Sequence, residues 1–85
     1  MLTIKVLGPG CANCKALTYL AQRAVTRLGL DARIEKVTDY AEIMCYPILS
    51  TPGLVINQNL VSSGRVPTEA EITTWLTTAL EAEAP

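Results

Sequence analysis

The stretch Leu7-Gly8-Pro9-Gly10-Cys11-Ala12-Asn13-Cys14 decides the fold, because a strand pattern gives way to a helical pattern within it. The apolar run at residues 4–7 predicts a short strand, and the glycines on either side of Pro9 predict a turn. From Cys11 onward the apolar residues recur at helical spacing. The sequence therefore predicts that Cys11 lies at or just before the first helical turn and that Cys14 lies one turn further in.

A cysteine pair at the start of a helix is suited to thiol–disulfide chemistry. The unpaired N–H groups and the positive end of the helix dipole stabilise an anion there, and a thiolate is the anion that the motif offers. We expect the pKa of Cys11 to lie below that of an ordinary cysteine, so that its sulfur is a nucleophile near neutral pH. Residues three apart share a helix face, so Cys14 is placed to attack a mixed disulfide on Cys11. These two residues are the predicted catalytic pair.

The chain has too few ligands for this pair to be half of a structural zinc site. Such a site needs four ligands, whereas the sequence has no histidine and one further cysteine, Cys45. A purely structural disulfide is also disfavoured, because a bond across so short a loop restricts the unfolded chain very little. We therefore predict no bound metal and no cofactor.

Length and composition indicate one small domain spanning residues 1–85. Hydrophobic residues make up 49% of the chain and charged residues 18%, a balance typical of a packed domain. Seven basic and eight acidic residues give a net charge of −1, so nucleic-acid binding has no electrostatic support. There is no membrane-spanning apolar run and no signal-peptide pattern, so we expect a cytoplasmic protein without a membrane partner.

The first helix and the segment after it predict a parallel crossover. Gly29 is a plausible stop for this helix. Its apolar residues at helical spacing are Leu17, Leu20, Ala21, Ala24, Val25 and Leu28. Residues 30–35 then alternate apolar and charged, which predicts a strand with one covered face at the edge of a sheet. A helix that joins two strands in this way implies that the strands are parallel.

A second, shorter helix is predicted after Asp39, which is a favourable N-cap residue. Tyr40, Ile43 and Met44 form its short apolar stripe. Cys45 lies off that stripe, so its thiol is either partly exposed or, as is common for free cysteines, a small buried apolar group. We predict that this thiol is dispensable for exchange. The alternatives are a regulatory thiol, a second resolving thiol or an intermolecular disulfide.

The last part of the chain predicts a hairpin and a final helix. Residues 54–56 and 60–62 are β-type runs around Asn57-Gln58-Asn59, whose residues tolerate the positive φ of a tight turn. Thr68 and Glu71 have the spacing of a capping box. The predicted apolar face of the final helix consists of Ile72, Trp75, Leu76, Ala79 and Leu80. The complete predicted order is β-α-β-α-β-β-α.

One more feature precedes the third predicted strand, where Thr51 is followed by Pro52. A proline cannot donate a hydrogen bond within a central ladder, and a cis bond at this place would redirect the chain.

The whole chain resembles the small thioredoxin-like proteins called redox-active disulfide proteins, compact relatives of thioredoxin and glutaredoxin. The motifs that carry this resemblance are Leu7-Gly8-Pro9-Gly10-Cys11-Ala12-Asn13-Cys14, Glu35-Lys36-Val37-Thr38-Asp39, Ser50-Thr51-Pro52-Gly53-Leu54-Val55-Ile56-Asn57 and Ser63-Gly64-Arg65-Val66-Pro67.

The resemblance implies an α/β, thioredoxin-like fold with a four-stranded mixed sheet flanked by three helices. It implies a thiol–disulfide oxidoreductase in which Cys11 attacks and Cys14 resolves. Pro52 would be cis beside the cysteines, and the backbone of Thr51 would contact a bound substrate chain. The implied partners are protein or small-molecule thiols and disulfides, together with a reductase.

A soluble carrier of a soft metal ion, of the copper type, is the alternative from another class. Ferredoxin-like copper carriers also begin with a strand, a glycine-containing loop and a Cys-x-x-Cys pair that opens a helix, and two thiolates suit such an ion. These carriers run β-α-β-β-α-β. The capped helix predicted after Asp39 stands where they have a hairpin, and this difference favours the exchange enzyme.

Overall fold

The computed structural model describes residues 2–10, 12–48 and 50–83. Its elements follow one another in the predicted order, and together they form the predicted α/β fold with a four-stranded mixed sheet and three helices. The elements are β1 (Leu2–Leu7), α1 (Ala12–Leu28), β2 (Ala32–Val37), α2 (Tyr40–Ile43), β3 (Gly53–Ile56), β4 (Asn59–Ser63) and α3 (Glu69–Glu83).

The strands are arranged in the order β2-β1-β3-β4. β1 and β2 are parallel, as the crossover predicted, and the other two pairs of neighbours are antiparallel. β2 lies at an edge of the sheet, where its charged residues were expected. Because β1 occupies an interior position, the loop that follows it opens at the middle of one end of the sheet.

β2 begins later than the alternating pattern predicted, because residues 29 and 30 complete the end of α1. Gly29 has a φ of 64°, and its N–H donates to the carbonyl of Thr26 at 3.2 Å. The N–H of Leu30 donates to the carbonyl of Val25 at 3.1 Å. These two bonds form a Schellman motif, which satisfies two carbonyls that the helix leaves unpaired.

The turn between β3 and β4 consists of Asn57 and Gln58, whose φ angles are 48° and 72°. Positive φ at both central residues is the geometry of a type I′ turn, which matches the twist of a hairpin. The predicted hairpin is confirmed. Asn57 also ties the turn to β1, because its N–H donates to the carbonyl of Thr3 at 2.9 Å and its side chain accepts from the Thr3 N–H at 3.0 Å.

Two apolar clusters cover the two faces of the sheet. The cluster under α1 and α3 contains Leu2, Ile4, Val6, Leu17, Ala21, Ala24, Val25, Leu54, Ile56, Ile72 and Leu76. The smaller cluster under α2 contains Leu7, Val37, Ile43 and Val55. This division follows from the alternation of side chains along each strand.

Several residues of the predicted apolar stripes lie on the surface instead of in the core. Tyr40 and Met44 are 63% and 71% exposed, because α2 is a single turn and directs only Ile43 into the cluster beneath it. Leu28 and Leu80 are also exposed. They lie near the C-terminal ends of α1 and α3 and flank an open groove rather than packing against the sheet.

The capping box of α3 is confirmed by its hydrogen bonds. The N–H of Glu71 donates to the hydroxyl of Thr68 at 3.1 Å, and the N–H of Thr68 donates to the carboxylate of Glu71 at the same distance. Glu69 joins α3 to α1, because its two carboxylate oxygens each lie 2.9 Å from a guanidinium nitrogen, one of Arg23 and one of Arg27. In the part of the chain that the structure describes, no helix combines the length and apolar character needed to cross a membrane.

Candidate active site

Cys14 lies in the first turn of α1 and is 5% exposed. One turn further along the same face, the hydroxyl of Thr18 donates to the carbonyl of Cys14 at 2.9 Å. The burial of Cys14 shows that its side chain is turned inward at the start of the helix. Cys11, the predicted attacking thiol, lies outside the described residues.

Gly8 forms the surface against which the Cys14 sulfur packs. A methyl group at Gly8 would overlap Sγ of Cys14 and would lie 3.7 Å from Cβ of Thr51. The Gly8 N–H donates to the carbonyl of Val37 at 2.9 Å, which fixes this backbone to the end of β2. The sequence indicated only a turn at Gly8. Position 8 must be glycine because the Cys14 sulfur packs directly against it in three dimensions, and no local sequence pattern reveals this contact.

Thr51 and Pro52 lie beside Gly8 at the entrance to β3. The peptide bond between them is cis, and the side chain of Pro52 is fully buried. The carbonyl of Pro52 accepts a hydrogen bond from the Gly64 N–H at 2.9 Å. Within the described residues, the backbone groups of the half-buried Thr51 make no hydrogen bond. The structure thus brings Cys14 and Thr51 to one place and leaves the Thr51 backbone available to a ligand.

A cavity of about 60 Å³ lies beside Cys14, between the start of α1 and the end of β2. We call it the lysine pocket; its lining includes Val6, Gly8, Cys14, Lys15, Thr18 and Lys36. Both lysines are exposed, and none of the described residues that line the cavity is acidic. The lining of the cavity is mostly apolar, and its charged groups are the two exposed lysines that border it next to the buried thiol.

Cys45 is exposed, the first of the two placements considered from the sequence, and its thiol donates weakly to the carbonyl of Ala41 at 3.5 Å. It lines a separate cavity on the α2 side of the sheet, together with Lys5 and Tyr46. That cavity shares no lining residue with the lysine pocket. Across the described ranges, no group of three or more histidine, cysteine or acidic side chains is arranged to hold a metal ion.

A sheet in this order, with a helix that begins at a cysteine motif and a proline before the third strand, defines a thioredoxin-like protein. Comparison with known proteins agrees, because the family model described as "Thioredoxin domain" matches residues 2–77. The chain is 39% identical over 72 residues to a protein named thioredoxin from Methanothermobacter thermautotrophicus, covering 85% of this chain and 94% of that one.

A second relative, also named thioredoxin, comes from Methanocaldococcus jannaschii. It is 37% identical over 81 residues, which cover 95% of this chain and 93% of the relative. The chain belongs to the thioredoxin family, and the resemblance seen in its motifs is confirmed. At the level of the family, its activity is that of a thiol–disulfide oxidoreductase, which acts on thiols and disulfides and is served by a reductase.

Proposed function

We propose that Cys11 and Cys14 form the redox-active pair of this oxidoreductase and that residues 1–85 act as one domain. The observation that carries the proposal is the inward-facing Cys14 sulfur in the first turn of α1, against Gly8 and beside Thr51. A resolving thiol must be shielded from solvent yet close to the substrate, and this position meets both needs. Cys11 precedes the first residue of α1, where a thiolate is stabilised by the helix N-terminus.

The proposed reaction has two exchange steps. The Cys11 thiolate attacks one sulfur of a substrate disulfide, and the other sulfur leaves as a thiolate that takes up a proton. Cys14, on losing its proton, then attacks Cys11 and releases the second substrate sulfur as a thiol. Two electrons pass to the substrate and a Cys11–Cys14 disulfide forms. A partner reductase, through its own dithiol, returns the pair to the reduced state.

Thr51 and Pro52 are proposed to seat the substrate. The unbonded backbone groups of Thr51 are those that an extended substrate segment needs for strand-like pairing. The Pro52 carbonyl is already bonded to Gly64, so Pro52 supports the loop rather than the ligand. Protein disulfides are therefore suitable substrates, alongside small disulfides. The cytoplasm is the proposed compartment, because a catalytic dithiol there is kept reduced.

The alternative of a soft-metal carrier finds less support in the element order. After β2 the chain continues with α2, whereas the ferredoxin-like carriers continue with a hairpin. The same two thiolates would bind the ion in such a carrier. The order of elements therefore favours exchange chemistry over metal transport.

Trapping experiments test the proposed roles. In a Cys45→Ala background, Cys14→Ser should accumulate mixed disulfides with protein substrates, because the bond on Cys11 can no longer be resolved. The matched control, Cys11→Ser, should trap almost none. Equal trapping by the two variants would contradict the assignment of attacking and resolving thiols. Copper binding by the reduced protein together with no reduction of any disulfide would instead favour the carrier.

A further inference from the structure

The lysine pocket is lined by the two basic side chains that contact no carboxylate or hydroxyl within the described ranges. Five of the seven basic side chains contact a carboxylate or a hydroxyl: Arg23 and Arg27 contact Glu69, Arg33 contacts Glu35, Arg65 contacts Glu71 and Lys5 contacts Tyr46. The other two are Lys15 and Lys36, and neither has such a contact within the described ranges. Both line the same cavity, the one that holds Cys14.

The two lysines reach the pocket from different elements. Lys15 follows Cys14 in the first turn of α1. Lys36 is paired with Val6 in the parallel ladder, so both side chains project from the same face of the sheet, the face that α1 covers. Gly10, the residue before Cys11 in the sequence, also lines the cavity. A group bound between the lysines would therefore lie next to Gly10 and Cys14.

The size and charge of the pocket indicate its ligand. A water molecule needs roughly 10–15 Å³ of such volume, so about 60 Å³ has room for a carboxylate but not for an aromatic ring. Within the described residues no carboxylate contacts either lysine, so the two exposed ammonium groups complement one or two negative charges. The N-terminus of α1, with its unpaired N–H groups, adds positive potential on the same side.

We propose that the lysine pocket binds a carboxylate carried by the disulfide substrate, so that Lys15 and Lys36 select anionic disulfides over neutral and cationic ones. This inference rests on the proposed exchange through Cys11 and Cys14. The chemistry is unchanged: the substrate disulfide breaks into two thiols while the dithiol is oxidised. The lysines hold the carboxylate of the half that becomes attached to Cys11, and they take no part in bond making.

Three disulfides of similar size test the selection: dithiodiglycolate, which is anionic, 2-hydroxyethyl disulfide, which is neutral, and cystamine, which is cationic. Pre-reduced protein is mixed with each in a single turnover, quenched with acid and analysed by mass. The measured quantity is the rate ratio of anionic to neutral substrate. This ratio should exceed the rate ratio of cationic to neutral substrate. The difference between the two ratios should disappear at about 1 M salt, where the screening length is about 3 Å.

Charge-removing variants assign the ratio to the pocket. We expect the anionic-to-neutral ratio to fall about threefold in Lys36→Met or Lys15→Met, the size expected of an exposed ion pair, and further in the double variant. Lys36→Arg should preserve it. Lys5→Met is the matched control, because it changes the net charge equally but lies on the opposite face of the sheet, against Tyr46. A ratio unchanged in the double variant, or lowered as much by Lys5→Met, would overturn the proposal.

The ratio also separates this inference from the function on which it rests. A change in thiol reactivity alone would alter both rates together and leave their ratio intact. If Cys11→Ser reduced the neutral disulfide as fast as the unmodified protein, the proposed function itself would fail. Peptide disulfides with Asp or Asn beside the cysteine show which kind of substrate supplies the carboxylate. If the ratio of the Asp-peptide rate to the Asn-peptide rate exceeds the anionic-to-neutral ratio of the small disulfides, the carboxylate belongs to protein substrates. If it is smaller, the carboxylate belongs to free disulfides.

Discussion

Gly8 limits how closely the Cys14 sulfur approaches the sheet. Any side chain at this position would occupy the space of Sγ, and the Gly8 backbone has little freedom to withdraw because its N–H is bonded to Val37. Thr51 borders the same space from the loop before β3. The position of the resolving sulfur is therefore determined by a residue that has no reactive group.

Gly8→Ala should destabilise the protein by about 1–3 kcal/mol, the usual cost of overpacking, and should slow resolution of mixed disulfides. Urea unfolding of the reduced protein measures the first effect. Because the overlap is with Sγ, the cost should largely vanish in a Cys14→Ala background. A double-mutant cycle that gave no coupling between the two positions would contradict the contact.

The two motif cysteines should differ in alkylation by iodoacetamide. Cys11 is expected to react rapidly with a pKa below that of an ordinary cysteine, since it precedes the first turn of α1. Cys14 should react slowly, because it is buried. Single-cysteine variants at each position, followed over a pH series by mass spectrometry, measure both quantities. Equal reactivity of the two thiols would be inconsistent with these roles.

At the scale of elements, the start of α3 is sensitive to acid. The guanidinium of Arg65, and then the backbone N–H of Thr68, hydrogen-bond the carboxylate of Glu71 and lower its pKa from 4.5 to about 2. A carboxylate with a lowered pKa binds fewer protons in the folded state than in the unfolded state. Its contribution to stability is therefore complete above about pH 4.5 and is lost as the pH falls toward 2.

Glu71→Gln should flatten the fall in the free energy of unfolding between pH 4.5 and 2, measured by urea titration at each pH. Glu69 contributes a second part of this slope, because Arg23 lowers its pKa as well. Glu81→Gln is the control on the same helix, since no basic side chain within the described residues contacts Glu81. An unaltered slope in Glu71→Gln would show that the ion pair does not form in solution.

At the scale of the whole molecule, the sheet separates two thiol environments. Cys14 lies on the side of α1, and Cys45 lies in a cavity on the side of α2. Cys45→Ala should therefore leave the rate of reduction of a model disulfide nearly unchanged, because the two-thiol cycle is complete without it. A large loss of turnover in this variant, with unaltered circular dichroism, would bring the third thiol into the mechanism.

Sequence reasoning succeeded where a structure depends on neighbouring residues. The stop at Gly29, the turn at Asn57 and the capping box at Thr68 are local and were predicted correctly. It failed where burial depends on a distant partner: Tyr40 is exposed because α2 is too short to cover a second site on the sheet. The approach of Gly8 to the site was missed for the same reason, since it requires α1 and β1 to be in position.

The interior place of β1 has a consequence for how the chain folds. β1, α1 and β2 are consecutive, so their pairing closes a shorter loop than the contact between Thr3 and Asn57, which spans 54 residues. Closing the longer loop costs more entropy, and contacts of larger sequence separation tend to form later. During synthesis β1 therefore pairs with β2 first, and its other hydrogen-bonding edge stays uncovered until β3 has been made. Pulse-labelled hydrogen exchange should show β1 amides that point to β2 protected before those that point to β3.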